Sequence, residues 1–340
     1  MNQTDVLIAR IRPNLIENKG IPLFIDAQAD LAAKEAAATD SWYVKFNFKA
    51  GDREIGMEWH QMVIKVPSFT NNINVVDFLL MDATRNLWFE HTHGGLASRE
   101  NGPTPGLCRV TSKFGTLDGN SEQLTLRLTA DNGAVDVVMR PTKQTLYNGS
   151  VGLLPLLGAN NSYQFAFPNM EIEGTVRLKD ETFEVQNTTA WLDRQWTAPL
   201  TVNAFPSWVW LGMSLNPEKT AVISLWDVID AKTGERYGFA TILDQQGVQS
   251  NHVAQVTYHQ SWKSDRSGNN YPTAFTIVVP TADLELSLAA MVDRPESIKG
   301  MGPIQLQGCQ SPCTVTGHYG STQIDQTEIV EMVGDVCGEA

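Results

Sequence analysis

The sequence predicts an all-β protein in which two β domains of similar size pack against each other. Short segments along most of the chain alternate apolar and polar residues with a period of two, which is typical of strands. Turn residues separate these segments at even spacing, as in β sandwiches and barrels. A chain of 340 residues, 42% of them hydrophobic, is long enough for two domains of about 150 residues each.

One segment near the N terminus departs from the strand pattern. Residues 26–39 are rich in alanine, which has the highest helix propensity, and they begin with Asp26, a suitable N-terminal cap. We therefore expect a short helix within an N-terminal extension that covers residues 1–40.

The strand pattern is clearest in residues 44–49 and 124–129, where apolar and polar residues alternate without a break. Asp131-Asn132-Gly133 follows the second of these segments and leads into the alternating residues 135–139. An Asn-Gly step between two alternating segments is a strong hairpin signal.

Pro199 and Pro206 interrupt the pattern near the middle of the chain. Proline-containing steps of this kind are typical of the connection between two domains. We therefore expect an N-terminal β domain of residues 41–198 and a C-terminal β domain of residues 199–340.

The most informative segment, residues 187–196, contains two tryptophans, an acid and a base. In a strand, Trp191 and Asp193 share one face, whereas Arg194 and Trp196 share the other. The acid and the base therefore need different partners. Two interpretations stay open: an ion pair that locks the two domains together, or Asp193 as an acid at the mouth of a pocket.

A second candidate for acid–base chemistry lies in residues 56–63. The period of two places Glu58 and His60 on one strand face, where the carboxylate would raise the pKa of the imidazole. If that face points inward, the pair is a candidate general acid and base; if it points outward, it is ordinary surface. The candidate catalytic residues are thus Glu58, His60 and Asp193.

Aromatic residues are the candidates for ligand binding. Trp208 and Trp210 share a strand face, and Trp226 follows on the next strand. Such indoles suit a long apolar ligand and stabilise a developing cation, although core packing explains them equally well. The full candidate set is Trp42, Trp59, Tyr163, Trp191, Trp208, Trp210 and Trp226.

Composition narrows the choice of partners. The net charge of −13 disfavours nucleic acids and anionic membrane surfaces, and an apolar polyene or isoprenoid molecule fits better. Apolar runs stay shorter than the roughly 18–20 residues of a membrane span. The N-terminal segment lacks the features of a secretory signal, so we expect a cytoplasmic protein with reduced cysteines.

The sequence contains no Gly-rich phosphate loop, no nucleophile elbow and no metal motif with suitable spacing. We therefore expect neither a cofactor nor a metal ion.

Several motifs follow one another in an order found in a known family. They are Ser41-Trp42-Tyr43 ahead of Ile55-Gly56, Ser162-Tyr163-Gln164-Phe165 ahead of Gly174-Thr175-Val176, Ala190-Trp191-Leu192-Asp193-Arg194-Gln195-Trp196, Trp208-Val209-Trp210, Tyr271-Pro272-Thr273 ahead of Leu284-Glu285-Leu286, and residues 327–334. This arrangement resembles the carotenoid 1,2-hydratase/AttH-like lipocalin superfamily, which includes kievitone hydratase-like proteins and cofactor-independent Diels–Alderases. The resemblance covers residues 40–335.

The resemblance implies two lipocalin-like β-barrel or sandwich domains with a ligand pocket in or between them. The first functional hypothesis is a cofactor-independent cyclase, a Diels–Alderase-like pericyclase that folds a polyene natural-product intermediate in an aromatic pocket. The alternatives are a hydratase or isomerase of an isoprenoid alkene, with Asp193 or Glu58 as proton donor, and a non-enzymatic binder of a lipid or pigment.

Overall fold

The computed structural model describes residues 25–35, 37–65, 72–97, 104–142, 144–150, 152–157, 160–197, 207–230, 233–301 and 304–338. In these ranges the chain forms 22 strands and three 3-10 helices, Ala29–Leu31, Asn148–Ser150 and Pro280–Ala282. The predicted all-β class is confirmed. Within the same ranges, the structure contains no helix that is long and apolar enough to span a membrane.

The first thirteen strands form one antiparallel sheet. Their bounds are β1 Thr39–Ala50, β2 Arg53–Ile64, β3 Asn72–Asp82, β4 Leu87–Ala97, β5 Cys108–Thr111, β6 Gly115–Gly119, β7 Leu124–Ala130, β8 Gly133–Arg140, β9 Leu146–Tyr147, β10 Leu153–Leu157, β11 Asn160–Leu178, β12 Glu181–Val185 and β13 Thr189–Thr197. The strand order is β4-β3-β2-β1-β13-β11-β8-β7-β6-β5, and β9, β10 and β12 pair with β11. The hairpin expected at residues 131–133 joins β7 to β8.

The last nine strands form the second sheet. Their bounds are β14 Ser207–Ser214, β15 Val222–Ile229, β16 Arg236–Leu243, β17 Gln249–Lys263, β18 Asn270–Val279, β19 Leu284–Ala290, β20 Glu296–Met301, β21 Ile304–Tyr319 and β22 Thr322–Val333. Because β14 pairs with β22 and β19 pairs with β21, eight of these strands close into a barrel. The ninth, β20, pairs with β21 and lies against β3 and β4 of the first sheet.

The two sheets occupy residues 39–197 and 207–333. Residues 198–206, which contain the expected boundary, lie outside the described residues. The division into residues 1–40, 41–198 and 199–340 therefore stays a prediction.

Strand alternation produces a core inside each sheet and a third core between them. On β14, Val209 and Leu211 point into the barrel, whereas Trp208 and Trp210 point toward the first sheet. The core between the sheets also contains Tyr43 of the first sheet. Several of the aromatic residues predicted to bind a ligand therefore lie where the two sheets meet.

The helix predicted for residues 26–39 is wrong beyond its first turn. The structure has a 3-10 helix at Ala29–Leu31 and enters β1 at residue 39. Asp26 does cap the start of this segment, because its Oδ1 accepts hydrogen bonds from the backbone N–H groups of Gln28 and Ala29.

Side chains from the sheet explain why this helix does not continue. The carbonyl of Leu31 accepts a hydrogen bond from Trp42 Nε1 at 3.1 Å, and the carbonyl of Ala32 accepts one from Arg194 Nη2 at 2.7 Å. A longer helix would need both carbonyls for its own amides. Tertiary hydrogen bonds therefore outweigh the helix propensity of alanine.

Candidate functional site

One row of paired residues crosses the first sheet and faces the barrel. Asp77 on β3 pairs with His60 on β2, His60 pairs with Tyr43 on β1, and Tyr43 pairs with Asp193 on β13. Residues directly opposite each other in neighbouring strands share a face of the sheet. Glu58 lies two residues before His60 and points the same way. The face predicted to be shared by Glu58 and His60 is buried against the barrel.

The second sheet contributes two charged residues to the same place. Lys299 on β20 places its Nζ 2.6 Å from Asp77 Oδ1 and 3.1 Å from His60 Nδ1. Glu331 on β22 places Oε1 3.7 Å from His60 Nδ1. All of these side chains are buried. We call Glu58, His60, Asp77, Lys299 and Glu331 the acid cluster.

Burial and the charge of Lys299 together determine the protonation of His60, and the higher imidazole pKa expected from the Glu58 carboxylate is wrong. Burial lowers the pKa of His60 well below its usual value, and the charge of Lys299 lowers it further, so the imidazole is neutral. An ammonium group only donates hydrogen bonds, so Nδ1 of His60 must accept and the ring proton lies on Nε2. Burial lowers the pKa of Lys299, but the neighbouring carboxylates raise it by more, so Lys299 keeps its charge.

Glu58 is the least satisfied member of the acid cluster. Neither of its carboxyl oxygens has a hydrogen-bond partner among the described residues, and its side chain is 0% exposed. Burial, followed by the nearby charge of Asp77, raises the pKa of Glu58 well above its usual value. These effects favour the protonated, neutral form of Glu58, and neither of its carboxyl oxygens bonds to another described group.

Glu331 is held in place by hydrogen bonds. Trp208 Nε1 donates to Oε2 at 3.0 Å, and Gln310 Nε2 donates to Oε1 at 3.1 Å. The hydroxyl of Tyr43 in turn donates to Gln310 Oε1 at 3.1 Å. Burial raises the pKa of Glu331 above its usual value. The carboxyl is thus fixed by an indole and an amide at the edge of the acid cluster.

Asp193 and Arg194 point to opposite faces of β13, as predicted. Asp193 Oδ1 accepts a hydrogen bond from Trp191 Nε1 at 2.9 Å, and burial raises the pKa of Asp193 to about 7. Arg194 Nη1 lies 2.5 Å from Oδ1 of Asp40. Because Asp40 belongs to β1 of the same sheet, the interpretation of Arg194 as half of an ion pair between domains is wrong.

Four of the predicted binding residues come together beside the acid cluster. The ring of Tyr43 lies 5.2 Å from the ring of Trp210, whose ring centre is 6.0 Å from Trp191 and 6.3 Å from Trp226. Trp226 lies 6.2 Å from Trp208. We call Trp191, Trp208, Trp210 and Trp226 the interface tryptophan cluster.

The other three predicted binding residues lie elsewhere. Trp42 and Trp59 are buried in the core of the first sheet, on the face opposite to Tyr43 and Glu58. Tyr163 stacks on Trp196 with 5.6 Å between ring centres. The structure therefore does not bring Trp42, Trp59 and Tyr163 to the acid cluster.

Glu58, His60 and Asp77 each offer a ligand atom, and these atoms lie within 4.8 Å of one another. Such a group resembles a metal site. However, the Lys299 ammonium contacts both Asp77 and His60. Two of the three possible metal ligands are therefore already paired with a positive charge of the protein.

An open cleft of about 730 Å³ lies between the two sheets. Its walls come from β1, β13, β14 and β22, and Trp191 of the interface tryptophan cluster is part of its lining. Most of its lining residues are polar, so it does not match the apolar pocket expected from the sequence. Lys45, which lines this cleft, pairs with Glu58 across β1 and β2.

A family model described as AttH-like matches residues 24–332 of this chain. The chain belongs to the AttH-like family. The two-sheet architecture agrees with this assignment, because an AttH structure from Nitrosomonas europaea superposes on 95% of the chain, and on 99% of its own length, with a TM-score of 0.75 and 15% identity. The resemblance inferred from the motifs is therefore confirmed.

Named relatives of this AttH-like protein include two enzymes. The dehydratase asqC of Emericella nidulans is 26% identical over 227 residues, which is 63% of this chain and 62% of that protein. The match thus spans less than two thirds of the curated relative. Kievitone hydratase from Nectria haematococca has a TM-score of 0.72 and 17% identity, covering 94% of this chain and 96% of that one. CghA with Sch210972 has a TM-score of 0.61 and 11% identity, covering 96% of each chain.

In this AttH-like protein, sequence reasoning identified two of the five residues of the acid cluster, Glu58 and His60, and missed the other three. Asp77, an acid inside the apolar run of residues 75–80, carried a detectable signal, because a lone charge in such a run is buried and needs a partner. Glu331 lies in the last family-like motif. Lys299 and Gln310 carried no signal in the sequence.

Proposed function

We propose that this protein is a cofactor-independent enzyme of secondary metabolism that adds water to an isoprenoid-type alkene or removes water from the corresponding tertiary alcohol. The observation that carries the proposal is Glu58, a buried carboxylic acid with a raised pKa and no hydrogen-bond partner among the described residues. Protonation of a simple alkene needs an acid that is still protonated at the working pH and is held against the alkene carbon. A buried carboxyl that keeps its proton near neutral pH meets this need.

Hydration begins when Glu58 donates its proton to one alkene carbon. This step forms a C–H bond, breaks the double bond and leaves a tertiary cation beside the Glu58 carboxylate. Water then forms a C–O bond to the cation, and its surplus proton returns to Glu58. Dehydration follows the same steps in reverse. The cycle leaves Glu58 protonated and needs no redox step.

His60 and Lys299 support this chemistry without taking the proton of Glu58. Because Nδ1 of His60 accepts from Lys299, its Nε2 carries a proton and is a hydrogen-bond donor for the oxygen of water or of the alcohol. Lys299 pairs with Asp77 and lowers the pKa of Glu58, but burial and the Asp77 charge raise that pKa by more.

Aromatic rings are suited to the cationic stage of the reaction. Tyr43 lies beside both His60 and Trp210, with ring centres 5.5 Å and 5.2 Å away. Ring faces attract cations when water is excluded. The names of two relatives, a dehydratase and a kievitone hydratase, support the same type of reaction.

The test is a labelling experiment on the purified chain. A dimethylallyl-substituted phenol is incubated with the protein in deuterium oxide, and products are read by mass spectrometry and NMR. We expect a tertiary alcohol with one deuterium on the carbon next to the new C–O bond. Recovery of an unchanged ligand would instead indicate a binder and contradict the proposal.

A cyclase is the second candidate, and the interface tryptophan cluster favours it. Four indoles and Tyr43 provide the aromatic surface on which a polyene could fold, and the hydroxyl of Tyr43 is a polar group at its edge. The fold similarity to CghA is compatible with this reaction. A pericyclic reaction would give an isomer of a polyene substrate without deuterium, so the same experiment with a polyene distinguishes the two.

A further inference from the structure

A hydroxyl, an imidazole and a second hydroxyl lie in a row at one end of the barrel, outside the acid cluster. Ser250 and His252 are two residues apart on β17, so they share a face of the strand. Ser250 Oγ lies 2.7 Å from Nε2 of His252, and the other ring nitrogen, Nδ1, lies 2.8 Å from Oγ1 of Thr281. A nucleophile, a base and a group that orients the base follow one another in this way in enzymes that activate a serine.

The shared face of Ser250 and His252 points to the inside of the barrel. Ser250 pairs with Ile242 of β16, and His252 pairs with Ala240. Ala240 and Ile242 belong to the buried core of the barrel, and residues opposite each other in neighbouring strands share a face. Ser250 and His252 are nevertheless partly exposed, since they lie near the start of β17, next to the turn of residues 244–248. The hydroxyl of Ser250 therefore lies at the mouth of the barrel, where a small molecule can approach it.

The turn that carries Thr281 is fixed by hydrogen bonds. Thr281 follows Pro280 in the short 3-10 helix between β18 and β19, and the proline ring restricts the backbone at the start of this turn. The backbone N–H of Asp283 donates to the carbonyl of Pro280 at 3.4 Å, and the carbonyl of Asp283 accepts from the backbone N–H of Gly320 at 2.8 Å. The turn thus holds Thr281 in a defined position beside the imidazole of His252.

His252 has the protonation state that a base requires. Burial lowers the pKa of His252 below its usual value, so the ring is neutral at pH 7. A neutral imidazole has one N–H group and one acceptor nitrogen. With the proton on Nδ1, the ring donates to Thr281 Oγ1, and Nε2 accepts from the hydroxyl of Ser250. In this tautomer Nε2 is placed to take the proton of Ser250.

We propose that Ser250 is a nucleophile that accepts an acyl group from a small activated carboxylic ester, with His252 as its general base and Thr281 as the residue that positions the ring. Oγ of Ser250 forms a bond to the carbonyl carbon while its proton moves to Nε2 of His252. The bond from the carbonyl carbon to the leaving oxygen then breaks, and this oxygen takes the proton from Nε2. The products are acylated Ser250 and an alcohol or a phenol, and His252 is neutral again. This activity does not involve Glu58 or the acid cluster.

The packed interior of the barrel restricts the acyl group to a short one. Ala240 and Ile242, the cross-strand neighbours of His252 and Ser250, are almost completely buried, and so is Val279 near Thr281. Side chains therefore already fill the barrel below its mouth. An acetyl group needs little space beyond the mouth, whereas a long acyl chain would have to displace this core.

The test treats the purified chain with p-nitrophenyl acetate and locates the acetyl group by peptide mass spectrometry. Ser250→Ala and His252→Gln are compared with the wild-type protein and with Ser287→Ala, which removes an exposed hydroxyl from β19 of the same barrel. We expect acetylation of Ser250 at equal rates in the wild-type protein and in Ser287→Ala, and a rate at least about tenfold lower in His252→Gln. The burst of p-nitrophenol should disappear in Ser250→Ala, and p-nitrophenyl octanoate should modify Ser250 more slowly than the acetate does.

Two substitutions of Thr281 distinguish a catalytic arrangement from a structural hydrogen bond. Thr281→Asp places a carboxylate beside Nδ1 of His252, where it favours the reactive tautomer and stabilises the imidazolium, and Thr281→Asn is the uncharged control of the same shape. We expect Ser250 to be acetylated about tenfold faster or more in Thr281→Asp than in Thr281→Asn. Circular dichroism confirms that each variant is folded. The inference would be overturned if Ser250 of the wild-type protein stays unmodified, or if the two Thr281 variants react at the same rate.

Discussion

The Nζ atom of Lys299 lies 2.6 Å from Oδ1 of Asp77, although the two residues belong to different sheets. Asp77 is 0% exposed and Lys299 is 6% exposed, so both charges are removed from water. Each therefore depends on the other for compensation of its charge. This pair joins β20 to β3, and its two charges shift the pKa values of Glu58 and His60.

Replacement of Lys299 by methionine should strongly destabilise the fold. Loss of one partner from a buried ion pair leaves the other charge uncompensated and costs about 3–5 kcal/mol. The measurement is the free energy of unfolding from urea denaturation, with Lys263→Met as the control for loss of an exposed lysine. The double variant Asp77→Leu/Lys299→Met should recover part of the loss. A Lys299→Met variant as stable as the control would contradict the pairing.

Substitution of Glu58 by glutamine should abolish most of the proposed activity while keeping the shape of the side chain. A general acid contributes about 10²–10⁴-fold to a rate, so kcat for alkene hydration should fall by that factor. Asp193→Asn is the matched comparison, because Asp193 is also buried and also has a raised pKa. If Asp193→Asn shows the larger loss, the proton donor is Asp193.

Part of the pH dependence of the free energy of unfolding should come from Asp193. Its pKa rises from 3.8 to about 7 on folding because of burial, so the native state holds a proton that the unfolded chain releases between these values. The stabilising contribution is complete below about pH 4 and is lost as the pH rises through 7. Between pH 5 and pH 8, wild-type stability should fall by about 2–3 kcal/mol more than that of Asp193→Asn. Parallel urea-denaturation profiles for the two proteins would exclude this.

Local rules were sufficient to predict much of the fold. The hairpin at residues 131–133 and the opposite directions of Asp193 and Arg194 follow from turn chemistry and from the period of two along a strand. The helix over residues 26–39 failed because its carbonyls bind Trp42 and Arg194, which lie elsewhere in the chain. Propensity contains no information about such tertiary partners.

Only two of the five residues of the acid cluster were predictable, for a similar reason. The shared face of Glu58 and His60 could be read from their spacing, but Lys299 lies 222 residues from Asp77 in the sequence. Their contact depends on how β20 of the second sheet packs on β3 of the first, which no local pattern determines. The partners of Glu331 likewise come from β14 and β21 of the barrel.

Substitution of Gly212 by alanine should destabilise the interface between the sheets. The new Cβ would lie 2.7 Å from atoms of the rigid indoles of Trp191 and Trp210, and overpacking of this kind costs about 1–3 kcal/mol. Gly56→Ala is the matched control, since residue 56 is also a strand glycine and its Cβ would lie 3.4 Å from Ile329 and 3.5 Å from Met81. Both neighbours of Gly56 are flexible side chains that can shift by a few tenths of an ångström, whereas an indole fixed by its own hydrogen bond cannot. Urea denaturation should therefore show a clear loss for Gly212→Ala and little change for Gly56→Ala, and tryptophan fluorescence should change in Gly212→Ala alone. Equal effects of the two substitutions would mean that the indoles are not packed against residue 212.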